Sequence, residues 1–350
     1  MNDFQSVLDF PHANAPATSQ AQEVAPGVRW LRMPLPFALD HINLWMIEDG
    51  DGFAIVDCGL GDAATRELWD AYFAASHGVG TGGSLWVKRV IVTHHHPDHA
   101  GNAAWLVHRF GADLWMALGE YFTAHAVRES QAGFSPGNQI ALLRRNGLDL
   151  EHGRKMSERG NAYRHAVPEF PSGYCRLSDA QLLTIGGRLW RVIMGYGHSP
   201  EHAALYCESL GVLISGDMVM PKITTNISVW TVEPEGNPLK LFLDSIERYA
   251  TLLPADTLVL PSHGLPFRGM RERIAQLHEH HRLRLEEVVV ACVSPKSAAD
   301  ILPTLFRRAL DTHQMFFAMG EAMAHLHLLH EDGRLERRIG ADGVFRYAQT

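Results

Sequence analysis

The sequence is poor in cysteine, in long apolar runs and in positive charge. Its four cysteines, Cys58, Cys175, Cys207 and Cys292, stand far apart with no C-x-x-C pair. That spacing suggests neither a disulfide framework nor a zinc knuckle, and four inert thiols in a reducing compartment are expected. No stretch approaches the ~18 continuous apolar residues of a membrane span. The first 22 residues have neither the basic segment nor the apolar core of a signal peptide, so the expected location is cytoplasmic. The formal charge of −8 and the pI near 6.2 give no electrostatic reason to expect nucleic acid or an anionic membrane as partner. The chain is instead rich in histidine, with 21. Its 46% hydrophobic content is enough for one large domain and a smaller one.

The histidines are densest in Thr93-His94-His95-His96-Pro97-Asp98-His99-Ala100-Gly101-Asn102. The stretch follows Val90-Ile91-Val92, which reads as a buried strand, and precedes Ala103-Ala104-Trp105-Leu106-Val107, which reads as a helix start. His94, His96, Asp98 and His99 are thus expected in the loop at a strand's carboxyl end, where open α/β sheets place their sites. Imidazole with carboxylate suits zinc, and also iron or manganese. Pro97 stiffens the loop by restricting His96 to an extended conformation. The bland alternative is a surface cluster of histidines.

H-x-H-x-D-H is the signature of the metallo-β-lactamase superfamily, and the chain resembles that family beyond this one motif. Gly197-His198-Ser199-Pro200-Glu201-His202 is similar to its G-H-[ST]-P-x-H form. Ile214-Ser215-Gly216-Asp217 resembles its bridging acid after a strand, and Leu258-Val259-Leu260-Pro261-Ser262-His263-Gly264 its last histidine. Asp57-Cys58-Gly59 matches its early D-x-G. Five motifs in order over residues 57–264 make the resemblance specific for the superfamily and much less so for a substrate; the branch it points to is glyoxalase II-like.

Residues 1–24 are polar and aperiodic, and are expected to form a flexible arm, unless Val7-Leu8-Asp9-Phe10-Pro11 packs on a neighbouring surface. Residues 25–268 form the expected catalytic domain. Its strands include Val28–Met33, Asn43–Ile47 and Phe53–Asp57, with an Asp-Gly turn between the last two; residues 61–75 read as helical and 77–84 as Gly-rich. A second cycle opens with a hairpin turning on Gly186-Gly187, followed by Ala204–Cys207 and Val212–Ile214. The resemblance implies that the two cycles form an α/β fold, an αββα sandwich. Residues 119–176 read as a partly helical insert, either a solvated excursion or a lid over the site. Residues 269–350 read as three helices and a hairpin, which resembles the winged-helix-like module that accompanies some hydrolases of this fold. That module is expected to pack on the catalytic domain or to form a homodimer contact, rather than to bind DNA.

The resemblance implies two divalent metal ions, zinc first, with iron or manganese as alternatives. His94, His96 and His198 would hold one, Asp98, His99 and His263 the other, and Asp217 would bridge them. Asp57 and His202 match positions behind the ligands. Asp98 is the candidate catalytic group that orients the nucleophile, and Tyr196 a candidate proton donor, though an ordinary strand-end tyrosine is the simpler reading. The weak provision for leaving-group protonation leans toward a small-molecule thioester, lactone or related ester. A mononuclear iron sulfur-dioxygenase-like enzyme and a phosphodiester- or RNA-processing nuclease are the rival readings. True β-lactamases of the fold usually carry cysteine where Asp217 stands, and its diiron flavoproteins carry glutamate where His96 stands.

Overall fold

The computed structural model describes residues 8–75 and 87–350, so the Gly-rich 77–84 stretch and Val7 lie outside the described residues. The first sheet has seven strands in sequential order: β1 (Gln22–Ala25), β2 (Val28–Pro34), β3 (His41–Asp49), β4 (Gly52–Val56), β5 (Val87–Ile91), β6 (Asp113–Ala117) and β7 (Cys175–Leu177). β1 to β4 pair antiparallel, and β4 to β7 pair parallel. The second sheet runs β12-β11-β10-β9-β8, from β8 (Leu182–Ile185), β9 (Arg188–Gly195), β10 (His202–Cys207), β11 (Val212–Gly216) and β12 (Leu258–Pro261). Among these strands only β11 and β12 pair parallel. The β8–β9 turn uses Gly186 at φ +59 and Gly187 at φ +72, a left-handed pair that glycine adopts without a Cβ penalty.

Period-two alternation decides the layers. On β3, Trp45 and Ile47 face the second sheet, while Leu44 and Met46 face outward. β11 and β12 alternate the same way: Ile214 and Leu260 point between the sheets, Leu213 and Val259 to the other side. Both faces of each sheet are therefore apolar and need cover. On the first sheet, α1 (Ala63–Ala75) and the later helix Ala103–Phe110 bring Trp69, Phe73 and Leu106 against Leu44, Ile55 and Val90. On the second, the helix Pro238–Leu252 brings Phe242, Ile246 and Tyr249 against Leu213 and Val259. This is the αββα arrangement.

Numbered in chain order, α2 is Pro97–Ala100, α3 Ala103–Phe110, and the insert holds α4 (Leu118–Arg128), α5 (Pro136–Arg145), α6 (Leu150–Glu158) and α7 (Ala162–Ala166). α8 is Pro238–Leu252. The C-terminal part consists of α9 (Met270–Ala291), α10 (Ala298–Leu305), α11 (Thr312–Glu331) and the hairpin β13 (Leu335–Ile339) with β14 (Phe345–Gln349). Local signals set two helix boundaries. Ser297 caps α10 in a capping box with Asp300, and Pro303 stands near its end. Asp311 and Gln314 form a second capping box at the start of α11. The expected arm is not free over its described apolar patch: Leu8 is buried, Phe10 packs on Phe267, and Asp9 exchanges backbone hydrogen bonds with Arg268. Burying two large apolar side chains outweighs the entropy of a few ordered polar residues.

The C-terminal helices share one core with the catalytic sheet. Met270, Ile274, Leu277 and Val288 on α9, and Met319, Met323 and Leu326 on α11, lie in the same buried cluster as Phe242, Ile246 and Leu213. The catalytic part of the same chain thus receives the apolar faces. Among the described residues no helix is long and apolar enough to cross a membrane. Each large apolar side chain buried in this way contributes about 1.5–3 kcal/mol. Truncation after Gly269 is therefore expected to give insoluble or non-cooperatively melting protein. The intact chain is expected to show no salt-sensitive retention on duplex DNA; a soluble, cooperatively melting truncation would show that the module is independent.

Candidate metal centre

All five motif loops open at one edge of the sandwich. Asp57 follows β4, the His94–His99 loop follows β5, His198 follows β9, Asp217 follows β11 and His263 follows β12. Two groups of side chains converge there: His94, His96, His198 and Asp217, and beside them Asp98, His99 and His263. In the first group His94 Nε2 lies 3.0 Å from His96 Nδ1 and 3.2 Å from His198 Nε2, while Asp217 Oδ2 lies 3.4 Å from His198 Nε2. In the second, His263 Nε2 is 3.5 Å from Asp98 Oδ2, and His99 Nε2 is 3.7 Å from the same oxygen. The other oxygen of Asp217, Oδ1, faces this second group at 3.5 Å from His99 Nε2 and 3.4 Å from His263 Nε2. One carboxylate divides its two oxygens between two trios.

The donor set itself tests what such a place can hold. An ion with tetrahedral bonds of about 2.0–2.1 Å spaces its ligand atoms roughly 3.3 Å apart, which is the spacing seen here. His99 Nε2 and Asp217 Oδ1 are buried without a hydrogen-bond partner. Burial, then the neighbouring histidines, push the His94 and His96 imidazoles well below the usual histidine range. Burial opposes ionisation of Asp217, yet His263 and His99 hold its carboxyl well below the usual carboxylate range. Neutral imidazoles at His94 and His96 and an ionised Asp217 are protonation states in which these groups bind metal. Burial lowers His99 and His263, but Asp57 and Asp217 outweigh it and raise them, so these two rings release a proton when an ion binds. The donor set fits divalent metal.

The far nitrogen of each of three imidazoles is occupied, which fixes ring orientation. His99 Nδ1 meets Asp57 Oδ2 at 2.9 Å, His198 Nδ1 donates to the Asn226 carbonyl at 2.9 Å, and His263 Nδ1 donates to the His41 carbonyl at 2.7 Å. Asp57 also accepts from the Thr93 amide at 2.8 Å and stands at φ +62, a left-handed conformation that a non-glycine residue holds only when its surroundings enforce it. His202 accepts the Asp217 amide N–H through Nε2 at 3.2 Å, so it supports the backbone of the shared acid. Burial, then His198, push His202 down to about 3. The loops also interlock through glycine: a Cβ on Gly101 would collide with the Gly61 nitrogen.

Tyr196 lies outside this set. It is 36% exposed, its amide donates to Ser245 Oγ, and the charges nearest its hydroxyl are Asp179, Glu201 and Arg248. Sequence reasoning missed other residues that the structure brings to the site. Asn43 Nδ2 donates to the Pro261 and Gly264 carbonyls at 2.8 and 3.0 Å, which fixes the loop bearing His263. Glu120 on α4 is fully buried and accepts the His95 amide at 2.9 Å, His95 Nδ1 at 2.6 Å and the Glu201 amide at 2.7 Å. It thereby joins the His94–His99 loop to the His198–His202 loop. The Tyr163 hydroxyl of α7 donates to the His95 carbonyl at 2.6 Å, so the insert supports the metal loops from behind. A cavity of about 100 Å³ lies beside these loops, with His95 and Ser199, Phe134 of the insert, and Trp230 and Leu241 among its walls.

Burial opposes the charge on Glu120, but His95 and the donors around it hold the carboxyl at about 2, below its ordinary 4.5. A depressed folded-state pKa means that the carboxylate stabilises above the unfolded value and loses that contribution as pH falls toward the folded one. Replacement by alanine strands three buried donors, at a cost of about 3 kcal/mol or more. Denaturant melts should show Glu120→Ala and Glu120→Gln destabilised at pH 7. The Glu120→Gln deficit should shrink between pH 4.5 and 2; a deficit unchanged over that window would show that the charge is not what holds the loops.

Comparison with known proteins agrees with this geometry. The family model described as the metallo-beta-lactamase superfamily matches residues 38–263, and one described as the metallo-beta-lactamase-like C-terminal domain matches residues 285–350. A crystal structure of a beta-lactamase domain protein from Burkholderia ambifaria is 50% identical, covers 100% of both chains and superposes with a TM-score of 0.91. A metallo-beta-lactamase family protein from Thermus thermophilus is 31% identical over 94% of this chain and 100% of its own, with a TM-score of 0.77. The probable metallo-hydrolase YqjP of Bacillus subtilis (strain 168) is 24% identical over 311 residues, 85% of this chain and 91% of that protein. With profile, fold and motif order in agreement, the chain belongs to the metallo-beta-lactamase superfamily.

Proposed function

We propose that the protein is a dinuclear metal-dependent hydrolase of a small ester-type substrate, a thioester, lactone or related ester. The observation that carries the reading is Asp217, whose Oδ2 faces the His94–His96–His198 trio and whose Oδ1 faces Asp98, His99 and His263. His94, His96 and His198 would hold one ion and Asp98, His99 and His263 the other, with Asp217 shared; zinc is the first choice for this donor set. A pair of divalent ions supplies a water-derived nucleophile at neutral pH and Lewis acidity toward the scissile oxygen. Asp98, whose side chain is 18% exposed beside the fully buried His99, would orient that water and hold its remaining proton. Asp57, the Asn226 carbonyl and the His41 carbonyl keep three rings in one tautomer and orientation, so the centre need not reorganise during turnover. Tyr196, the candidate proton donor, lies outside the cluster, which favours leaving groups that need little protonation, such as thiolates and activated alkoxides. Four free cysteines, three of them buried, support a cytoplasmic location.

Elemental analysis of the purified protein is expected to give two divalent ions per chain. A panel of thioester, lactone, phosphodiester and β-lactam substrates should show turnover in the first two classes. One iron with no second metal would sink the dinuclear reading and favour the dioxygenase. Asp217→Ala should lose about 10³-fold or more in turnover, because charge stabilisation at a preorganised centre is worth that much. Tyr196→Phe should stay close to the parent. Near-parental activity in Asp217→Ala with full metal content would show that this carboxylate is not shared.

A further inference from the structure

α11 of the C-terminal module reaches the metal loops through the segment 225–229. The Asn226 carbonyl accepts the His198 Nδ1–H at 2.9 Å, and the Thr225 hydroxyl donates to the Asp217 carbonyl. On its other side the same segment is held by α11. Asn226 Nδ2 donates to Glu321 Oε2 at 3.2 Å, and the Val229 amide donates to the Gly320 carbonyl at 3.2 Å. Ser228 Oγ donates to Asn226 Oδ1 at 2.8 Å, so both ends of the Asn226 amide are engaged. The approach is close enough that a Cβ on Gly320 would lie 2.6 Å from Ser228 Oγ.

We propose that Glu321 is a positioning residue of the metal centre, acting through Asn226 to fix the His198 ring for the first ion. The inference rests on the reading of His94, His96 and His198 as ligands. Glu321 is otherwise hard to account for. Burial pushes its carboxyl up to about 7, the Asn226 amide pulls only partly against this, and among the described residues no cation pairs with it. Glu321 is half-buried, and a desolvated acid without a cation costs stability that an apolar residue there would not. Its side-chain partner, Asn226, leads directly to a ring of the centre. Groups that orient a ligand from behind are worth about 10–100-fold in metal affinity.

The test compares zinc affinities of the full-length parent, Glu321→Leu, Glu321→Gln and Asn226→Ala by competition with a chromogenic chelator, alongside melting curves of the metal-free proteins. Glutamine keeps an acceptor for Asn226 Nδ2, whereas leucine removes it at similar volume. The expected result is about 10-fold weaker binding of one of the two ions in Glu321→Leu and Asn226→Ala, with Glu321→Gln close to the parent. The metal-free Glu321→Leu should melt no lower than the metal-free Glu321→Gln. Parental affinity in Asn226→Ala or in Glu321→Leu would overturn the proposal, as would equal weakening in the leucine and glutamine variants. If Glu321→Leu does not fold, Asn226→Ala and Glu321→Gln still decide it. A parent that takes up no metal would overturn the hydrolase reading first, and that result is distinct from metal uptake alike in all four proteins.

Discussion

The structure depends on holding seven polar side chains of metal-binding type face to face. Five imidazoles and two carboxylates stand at separations of 3.0 to 3.7 Å, with His99 Nε2 and Asp217 Oδ1 left without a hydrogen-bond partner in the space a cation would take. No single element could hold such a set, since a side chain free to rotate would turn away. The chain therefore uses a strand terminus for each motif loop and secures the rings from behind, with Asp57, the His41 carbonyl and the Asn226 carbonyl each closing one exit. The two sheets serve mainly to bring five strand ends to one edge. Their alternating apolar faces are what fixes that edge in register.

The His94–His99 loop was legible because it joins an apolar strand to a dense run of liganding residue types, whereas the later motif loops and the layered arrangement were legible through the family resemblance, the strands alone leaving the layering open. Glu120, Asn43 and Glu321 were not legible for the converse reason. Each acts on backbone groups or on an amide far away in the chain, and a single polar residue within a helix or strand has no periodicity that announces its partner. Asn43, for example, reads as an ordinary polar position in β3 until Pro261 and Gly264 are brought beside it. Tyr196 illustrates the converse: it stands two residues from His198 in sequence, yet it is 36% exposed and its amide donates to Ser245 Oγ, as the simpler reading of a strand-end tyrosine expects.

The insert and the C-terminal module are better understood as two braces than as additions to a finished enzyme. The insert supplies Glu120 and Tyr163 behind the histidine-rich loop. Its α5, α6 and the turn between them then place Leu143, Leu148 and Met156 in the same core as α9 and α11. A Cβ on Gly147 would collide with Ser297 Oγ at the cap of α10, so the two braces also touch each other. The site is thus backed by elements that form one continuous layer of packing.

Asn43 pairs its amide with the Ser262 carbonyl at 2.7 Å and its side chain with Pro261, joining the third strand of the chain to the last strand of the second sheet. That link bears on how the protein comes off the ribosome. The loop that carries His263 has its anchor waiting early, but the anchor has nothing to hold until most of the polypeptide has emerged. The first sheet can pair as it is made, whereas closing the centre requires contacts of very long loop length, which form late. The His94–His99 loop and the Asp217 and His263 loops are therefore brought together only when the second sheet docks on the first.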